Sequence, residues 1–485
     1  MNGQNPRQIA AHVLGQRRQN GLFVEDLLEM ALASAPLSSA DRGLCQEIVY
    51  GVVRWQAALD WLIGQKTGGR EQKPALQNLL RLGLYQIFWL DRIPDHAAVH
   101  ETVELAKQGG FGPQAGFVNA VLRGYLREAE ETRKLLAELK LSRPALGWSQ
   151  PEWLVEKWWQ RFGDARTRQL LEWNNTPPKI FARVNTLKTD AGGLIEKWRE
   201  ENVDYDFVRR DWLGENLAFE LKSHPPLHSL KSFRDGWFYI QDPSTLLAVR
   251  ELDPQPGETI LDMCAAPGGK TTFIAQLMNN QGGIVAQDVS EDRLKLIREN
   301  CTRLGVTCVE AGVSQFVRPH PDPLPQEREP RLVASAFPPA AMTNPTPGFA
   351  DARQPIPPLP GGEGRGEGGI KPNSQPTHFD RILIDAPCSN SGVMRRRVDL
   401  RWRISPEEIV RLQQTQLDLL KLAATKLKPG GVLVYSTCSL EPEENSEAVK
   451  EFLREHKNFK LESEHELLPF ADKVDGAFVA KLIRA

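Results

Sequence analysis

The sequence predicts a multidomain protein in which a helical bundle is followed by a small mixed α/β module and then by a doubly wound α/β domain. The chain has 485 residues, more than one ordinary hydrophobic core accommodates. Its residue pattern also changes twice, from helical periodicity, through a stretch dense in aromatic residues, to repeated strand–turn–helix units. We place the three units at residues 1–145, 150–240 and 241–485.

Composition and charge fit a globular protein, which we expect in the cytoplasm. Hydrophobic residues make up 41% and charged residues 25% of the chain. No apolar run is long enough to cross a membrane, and the N-terminus lacks the pattern of a secretory signal. The six cysteines form neither a CxxC pair nor a zinc spacing, so we expect no metal and mostly buried thiols. Because the net charge is −2, any contact with nucleic acid needs a local basic face.

The first two units differ in their apolar patterns. Helical spacing is present in one stripe through Leu44, Ile48, Val52, Trp55, Leu59 and Leu62 and in another through Leu76, Leu79, Leu80, Leu84 and Ile87. Breakers at Gly68, Gly69 and Pro94 separate these helices. The second unit instead combines clustered tryptophans with a short β-like run at residues 180–185, which predicts a mixed α/β module.

The third unit alternates short apolar strands with helices. Strands are predicted at residues 259–262, 284–288, 381–385 and 432–435, and helices at 291–304 and 406–427. This alternation predicts a largely parallel sheet whose ligands lie at the carboxyl ends of the strands. Residues 318–378 interrupt the pattern, because they are rich in proline, glycine and charge and poor in large apolar residues. We expect a disordered surface insertion there.

A turn of small residues, DMCAAPGGK, occupies residues 262–270 after the first of these strands. Such a turn lets backbone amides approach a ligand closely. A dinucleotide fold needs G-x-G-x-x-G, which is absent, and a P-loop needs a glycine where Cys264 stands. S-adenosylmethionine needs only the close turn and a carboxylate at the next strand end, where Asp288 lies. We therefore predict an S-adenosylmethionine site; the plainer alternative is a purely structural turn.

Two cysteines follow strands at the same predicted edge. Cys388 lies just beyond the strand that ends at Asp385, and Cys438 lies beyond the strand at residues 432–435. A cysteine in a sheet is more often a small core residue, but proline, serine and threonine flank these two. A thiolate added to C6 of cytosine activates C5 towards a methyl sulfonium, and a carboxyl group such as that of Asp385 can serve N3. A second thiol can assist release of the product.

An arginine-rich stretch, residues 394–403, comes directly after this loop. Its arginines and tryptophan suit phosphate contacts and base stacking. The alternative is a solvated run of charge. Its place beside the predicted site favours RNA contact, and the candidate RNA-binding residues are Arg395, Arg396, Arg397 and Arg401.

These motifs resemble those of the RNA 5-methylcytosine methyltransferases, with DAPCS at 385–389, TCS at 437–439 and MCAAPGGKTT at 263–272. QDPS at 241–244 and DGAFVAK at 475–481 are similar to further motifs of that family. The segments RQIAAHVL, YGVVRW, RIPDHAAVHETVELAK and FVNAVLRG resemble a NusB-like domain. The resemblance covers nearly the whole chain outside the insertion.

The resemblance implies a NusB-like RNA-binding domain, a small RNA-recognition module and a Rossmann-like methyltransferase domain, together acting on 16S ribosomal RNA. It implies Cys438 as the nucleophile and Cys388 as the residue that assists product release; Asp385 is the third candidate catalytic residue, on the chemical argument given above. The implied cofactor site consists of Cys264, Ala265, Ala266, Pro267, Gly268, Gly269, Lys270, Asp288 and Asp385. Pro387–Cys388 also resembles the nucleophile dipeptide of DNA cytosine methyltransferases, so the reverse assignment of the thiols stays open.

The sequence departs from that family at the end of the third strand. The family usually has Gly-Asp there, whereas this chain reads VEAGV at residues 309–313. Either Glu310 substitutes for the aspartate, or the contact to the adenine is lost. Two other functions stay open: a non-catalytic RNA-binding assembly factor, and a methyltransferase that acts on tRNA. We expect a monomer.

Overall fold

The structure, a computed structural model, describes residues 5–17, 22–314 and 377–485. Ten α-helices precede the first strand in this described part of the chain. They are α1 (Pro6–Gln16), α2 (Val24–Ala33), α3 (Ser39–Arg54), α4 (Gln56–Thr67), α5 (Pro74–Trp89), α6 (Asp95–Ala106), α7 (Ala115–Arg127), α8 (Ala129–Ser142), α9 (Pro144–Gly147) and α10 (Glu152–Asn175).

The helical region is held by the apolar stripes that the sequence predicts. Ile48 and Val52 of α3 pack in one core with Leu80 and Leu84 of α5. The predicted breakers also lie between helices: Gly68 ends α4 in the left-handed conformation, and Pro94 caps α6. Among the described residues, no helix is long and apolar enough to span a membrane.

A small antiparallel sheet with two short helices forms the next unit. Its elements are β1 (Ile180–Val184), α11 (Ala191–Glu200), β2 (Asp204–Phe207), β3 (Ala218–Ser223), α12 (Lys231–Arg234) and β4 (Phe238–Ile240). The strands are ordered β2-β3-β1-β4, and each neighbouring pair is antiparallel. Aromatic side chains fill its core, where Trp198 of α11 packs edge-on against Phe219 and Phe238. The predicted mixed α/β module is therefore confirmed.

A seven-stranded sheet with helices forms the rest of the described chain. Its elements are α13 (Leu246–Leu252), β5 (Thr259–Asp262), α14 (Gly269–Leu277), β6 (Gly283–Asp288), α15 (Glu291–Leu304), β7 (Val309–Val313), β8 (Phe379–Asp385), α16 (Pro406–Lys426), β9 (Leu427–Thr437), α17 (Ser446–Glu455), β10 (Phe459–Leu467), α18 (Pro469–Asp472) and β11 (Ala477–Arg484). The strand order is β10-β11-β9-β8-β5-β6-β7.

The direction of the strands places the site. The central strands β5 to β9 run parallel, and β10 and β11 are antiparallel additions at one edge. Parallel strands bring their carboxyl ends to a single edge, so residues that follow β5, β6, β8 and β9 meet there. The predicted strands and helices of this unit are confirmed, with small shifts at their ends. Residues 318–376 of the predicted insertion lie outside the described residues.

Candidate active site

A small cavity opens at the carboxyl ends of β5, β8 and β9. Polar groups and thiols converge on it from three separate turns of the chain. The lining residues are Cys264, Ala266, Asp385, Ala386, Cys388, Asn390 and Cys438.

The structure brings the two predicted thiols together in this cavity. The Sγ atoms of Cys388 and Cys438 are 3.3 Å apart, although the residues follow different strands. Cys388 is buried, and Cys438 is partly exposed. Cys264 lines the same cavity, but burial, with Asp288 nearby, raises the pKa of its thiol well above the ordinary value. Cys264 is therefore poorly placed to act as a thiolate.

Asp385 enters the cavity as one half of an ion pair. Its Oδ2 atom lies 2.6 Å from Nζ of Lys270, and its Oδ1 atom accepts a hydrogen bond from the hydroxyl of Ser436 at 2.8 Å. Lys270 is the last residue of the predicted cofactor turn and is almost fully buried. The pair therefore links the cofactor turn of β5 to the strand that precedes Cys388.

Asp288, which the sequence predicts as a cofactor-binding residue, also accepts hydrogen bonds from the backbone of the cofactor turn and of its own strand end. The Ala266 amide donates to Oδ2 of Asp288 at 2.9 Å, and the Val289 amide donates to Oδ1 at 2.7 Å. Arg293 lies 2.7 Å from the same Oδ1 atom. Three donors still leave capacity on a carboxylate, which offers about four lone-pair positions. Asp288 can thus accept a ribose hydroxyl as well.

The cofactor turn requires glycine at position 268 because of its backbone conformation and its close packing. Gly268 has a φ of +102°, and a Cβ there would lie 3.3 Å from the Ile297 Cα on α15. Nearby, Asp262 is buried, and Oδ1 of its carboxyl has no hydrogen-bond partner among the described residues. Burial raises the pKa of Asp262 to about 7. Close backbone, an unsatisfied acceptor and several carboxylates fit a nucleoside that carries a positive charge, such as S-adenosylmethionine.

Comparison with known proteins identifies the family. The 16S rRNA methyltransferase RsmB/F model matches residues 249–321 and 367–483, the NusB family model matches residues 4–127, and the RsmF/B-like ferredoxin-like domain model matches residues 150–211. The chain is 35% identical to the probable ribosomal RNA small subunit methyltransferase B of Bacillus subtilis, across 94% of this chain and 89% of the relative. The chain belongs to the RsmB/F methyltransferase family.

A second relative of nearly full length and a solved structure that covers part of the chain agree with this assignment. Ribosomal RNA small subunit methyltransferase B of Klebsiella pneumoniae is 32% identical across 99% of this chain and 98% of the relative. A solved methyltransferase homologue from Pyrococcus horikoshii is 28% identical, with a TM-score of 0.51 across 70% of this chain and 97% of that structure. The RsmB/F assignment therefore includes the helical region as well as the sheet that carries the cavity.

The arginine segment, residues 395–403, is placed differently from the prediction. Arg395 and Arg401 are 1% and 0% exposed, and Arg397 is 7% exposed. These guanidinium groups are buried in this structure, and RNA binding by the three arginines stays a prediction. Arg396 keeps part of its surface but is held in an ion pair with Asp242, at 2.8 Å.

The buried arginines join the parts of the protein instead. Arg395 and Arg396 both pair with Asp475, which precedes β11, and Arg396 also pairs with Asp242, which follows β4. The two aspartates belong to the QDPS and DGAFVAK motifs, to whose acidic residues the sequence analysis assigns no role. An acidic residue without an assigned role is the signal that could have pointed to this pairing.

Arg401 reaches both the helical region and α10. It donates to the backbone carbonyl of Arg54 at 3.1 Å, to that of Asn174 at 2.9 Å and to Oδ1 of Asn175 at 2.9 Å. The neighbouring Trp402 donates its indole N–H to the Val53 carbonyl at 2.8 Å. The segment that follows the Cys388 loop is thus anchored at the end of α3 and at the end of α10.

The register of the third strand, β7, shows where Glu310 lies relative to the position expected for the aspartate. In β7, Val313 is in register with Asp288, and Glu310 is in register with Val285. Glu310 therefore lies three residues before the carboxyl edge, or about 10 Å away at 3.3 Å per residue. Glu310 is thus set back from the edge where the sequence comparison expects the aspartate, and the residues that directly follow Ser314 lie outside the described part.

Glu444 is a site residue that the sequence reasoning missed. It is buried below both thiol loops and accepts from the Ser389 amide at 2.7 Å, from Nε2 of Gln416 at 3.2 Å and from the hydroxyls of Ser389 and Ser439. Burial raises its pKa to about 7. In the sequence, EPEEN before a helix predicts only an exposed helix start, so no signal singled it out.

Two glycines close the joint between three loops. Gly392 donates its amide to the Cys438 carbonyl at 2.9 Å, and Gly476 donates its amide to the Gly392 carbonyl, also at 2.9 Å. A Cβ at Gly392 would lie 2.6 Å from the Cys438 oxygen and 2.8 Å from the Gly476 Cα. Only glycine fits there, because those neighbours are backbone atoms.

Arg183 supports the cofactor turn from the small sheet and was also missed. This residue of β1 is 1% exposed. It donates to the Gly269 carbonyl at 2.8 Å and to the Thr272 hydroxyl at 3.1 Å, at the start of α14. The turn is therefore held by a different unit of the chain from the one that contains it.

Proposed function

We propose that this protein transfers a methyl group from S-adenosylmethionine to C5 of a cytosine in 16S ribosomal RNA through a covalent bond to Cys438. One observation carries the proposal: two thiols 3.3 Å apart share a cavity with Asp385, beside the cofactor turn. Membership of the RsmB/F family supports the rRNA substrate. The cytosine, the C5 position and the role of each thiol are our inference from the chemistry of the site.

The cofactor would be held by the turn from Cys264 to Lys270, by Asp288 and by Asp385. When bound, S-adenosylmethionine supplies an electrophilic methyl group on a sulfonium. The turn offers close backbone, and Asp288 offers a free acceptor position for the ribose. The negative charge of the surrounding carboxylates favours the sulfonium cation.

Cys438 would start the reaction by adding its sulfur to C6 of the cytosine, while its thiol proton passes to the Asp385–Lys270 pair. The new C–S bond moves electrons through the ring, so that C5 becomes nucleophilic and negative charge builds at N3. The Asp385–Lys270 pair, with a separation of 2.6 Å, can supply a proton at N3. C5 would then form its bond to the methyl group as the methyl–sulfonium bond breaks, the neutral thioether S-adenosylhomocysteine would leave, and the ring would become a saturated adduct at C5 and C6.

Cys388 would assist the end of the reaction. The proton at C5 must leave, its electrons re-form the C5–C6 double bond, and the C6–S bond breaks to return the Cys438 thiolate. A thiolate at Cys388 can accept that proton, and the short Sγ–Sγ distance supports this role. The proton at N3 returns to the Asp385–Lys270 pair.

The first experiment tests the reaction itself. Full-length protein is incubated with methyl-labelled S-adenosylmethionine and either unmodified 16S rRNA or tRNA, and the nucleosides are analysed. We expect 5-methylcytosine in the rRNA alone. Label in tRNA alone would show that tRNA is the substrate instead. Calorimetry that detects RNA binding but no cofactor binding would favour a non-catalytic assembly factor.

The second experiment tests the roles of the thiols. Cys388→Ala should accumulate a covalent RNA–protein adduct, because methylation proceeds and release fails. Cys438→Ala should form no adduct. The reverse pattern on a denaturing gel would exchange the two roles.

We also propose that residues 1–145, 150–240 and 241–485 act as three domains, with the NusB-like helices of the first binding RNA. The contacts of Arg401 with Arg54 and Asn174 favour joint action over independent action. Cross-linking of 16S rRNA to the full-length protein, with the linked peptides mapped, tests this; absence of cross-links before residue 145 would contradict it.

A further inference from the structure

Asn390 lies between the two thiols and contacts both cysteine residues. Its Oδ1 atom accepts a hydrogen bond from the Cys438 thiol at 2.9 Å, and its Nδ2 atom donates to the Cys388 carbonyl at 2.8 Å. The residue is 2% exposed and lines the cavity. Neither the sequence motifs nor the proposed reaction gives it a role.

The backbone around Asn390 fixes the direction of its side chain. Its φ is +57°, in the left-handed region that asparagine enters more readily than most residues. The Cys388 carbonyl can only accept a hydrogen bond, so the amide nitrogen must face it and the amide oxygen must face Cys438. The orientation of the amide is therefore determined by the loop that carries it.

The backbone of Cys438 is fixed as well, because the Gly392 amide donates to its carbonyl. Rotation of the side chain is the remaining freedom of the thiol. Four neighbours face this region of the cavity: the Cys388 and Cys264 thiols, and Asp385 paired with Lys270. Among the acceptors within reach, the Asn390 oxygen is closer than the Cys388 sulfur and is the stronger acceptor.

We infer that Asn390 is a positioning residue, which holds the thiol of Cys438 protonated and directed into the cavity before RNA binds. This inference rests on the proposed function, since it concerns the proposed nucleophile. A hydrogen bond accepted from the neutral thiol favours the neutral form over the thiolate. The thiol is then oriented towards C6 but unreactive towards other electrophiles until its proton passes to the Asp385–Lys270 pair.

The test measures the alkylation of Cys438 by iodoacetamide in full-length protein without RNA, with each cysteine resolved by mass spectrometry. Alkylation follows the thiolate fraction, so its rate is measured across pH. The variants are Asn390→Gly, which keeps the backbone conformation and removes the amide, and Asn390→Asp, which keeps the shape and a stronger acceptor. Asn216→Gly, also at positive φ (+54°) but exposed, is the matched control.

The two variants should change the rate in opposite directions. Asn390→Gly should speed alkylation of Cys438 at neutral pH by ~3- to 10-fold, the value of one hydrogen bond. Its pH midpoint should fall accordingly. Asn390→Asp should slow alkylation and raise the midpoint, because a carboxylate disfavours a nearby thiolate. Asn216→Gly should match the wild-type protein.

Methyl transfer provides the second readout. Asn390→Gly should lower kcat several-fold with little change in KM for the RNA, because the thiol is no longer directed at C6. Equal alkylation of Cys438 in all four proteins, or the same direction of change in both Asn390 variants, would overturn the inference. A wild-type protein that makes no 5-methylcytosine would instead overturn the proposed function, and the alkylation result would still stand.

Discussion

The Cys388 loop and the arginine segment are neighbours in the chain, and both carry residue types typical of RNA-modifying sites, yet the fold uses them in opposite ways. Cys388 lines the cavity with Cys438, whereas Arg401 is 0% exposed and bonds to backbone carbonyls of two other helices. The position of a residue at the end of a strand therefore indicates where its side chain lies. A run of charged residues does not indicate whether its side chains are exposed. Arginine in particular can serve as a buried brace, because its five donors can satisfy several carbonyls at once.

Loss of the proposed nucleophile should give the largest effect. In Cys438→Ser the hydroxyl can still donate to Asn390, but it is a much weaker nucleophile towards C6 than a thiolate. We expect methyl transfer to fall by about 10⁴-fold or more. The free energy of unfolding should change by less than about 0.5 kcal/mol, because Cys438 is partly exposed and the substitution conserves its size. Residual activity within tenfold of wild type would exclude Cys438 as the nucleophile.

The opposite pattern is expected for the arginine segment. Arg401→Met leaves the carbonyls of Arg54 and Asn174 without their donor, and the free energy of unfolding should fall by about 3 kcal/mol. Denaturant unfolding measures this. Arg411→Met is the control, because its i,i+3 ion pair with Glu408 is at the surface and should be worth about 0.5 kcal/mol.

RNA binding by the same variant tests the comparison from the other side. The slope of RNA affinity against salt concentration should be the same for the folded Arg401→Met protein and for wild type, since no phosphate contact is lost. A shallower slope with unchanged stability would show that the arginine segment does reach RNA.

Glu444 should make the stability of the thiol loops depend on pH. Burial raises its pKa in the folded protein to about 7, above the value near 4.5 that it has when unfolded. The folded state therefore holds a proton that the unfolded state has lost, and stability should decrease as pH rises from about 4.5 to 7. Glu444→Gln should remove on the order of 3 kcal/mol of this decrease. Unfolding by urea at pH 5 and pH 8 measures it, and parallel changes in both proteins would contradict the assignment.

The smallest effect should appear at the cofactor turn. Arg183→Lys keeps the charge but loses the planar fork that contacts Gly269 and Thr272. Affinity for S-adenosylmethionine should fall by about tenfold, equivalent to roughly one hydrogen bond. Calorimetry provides the measurement, with Arg199→Lys on the exposed side of α11 as the control. Equal affinities would show that the small sheet does not support the turn.

The sequence predicts the secondary structure and the thiol pair well for one physical reason. Short apolar strands between helices form a parallel sheet, and strand ends then meet at a single edge, so Asp385, Cys388 and Cys438 could be placed together without coordinates. The cofactor turn could also be predicted from the sequence, because the residues from Cys264 to Lys270 match neither of the other nucleotide-binding patterns.

The supporting residues could not be predicted in the same way. Arg183, Asn390 and Glu444 act through contacts between distant parts of the chain, and a single sequence holds no information on which acceptor a given donor will meet. The burial of Arg401 could not be predicted for a related reason: it depends on the docking of α3 and α10, whereas local charge density favours a solvated surface. Glu310 could be assessed only once the register of β7 against β6 was known.

The contact between Gly392 and Gly476 has a consequence for any attempt to re-engineer this enzyme. Backbone meets backbone there with no side chain between, so the loops after β8 and β9 and before β11 form one interlocked unit. If the Cys438 loop alone were taken from a relative, its conformation would not match the two loops that contact it in this protein. Changing the preferred base will therefore require the transplantation of all three loops as one cassette, with both glycines retained.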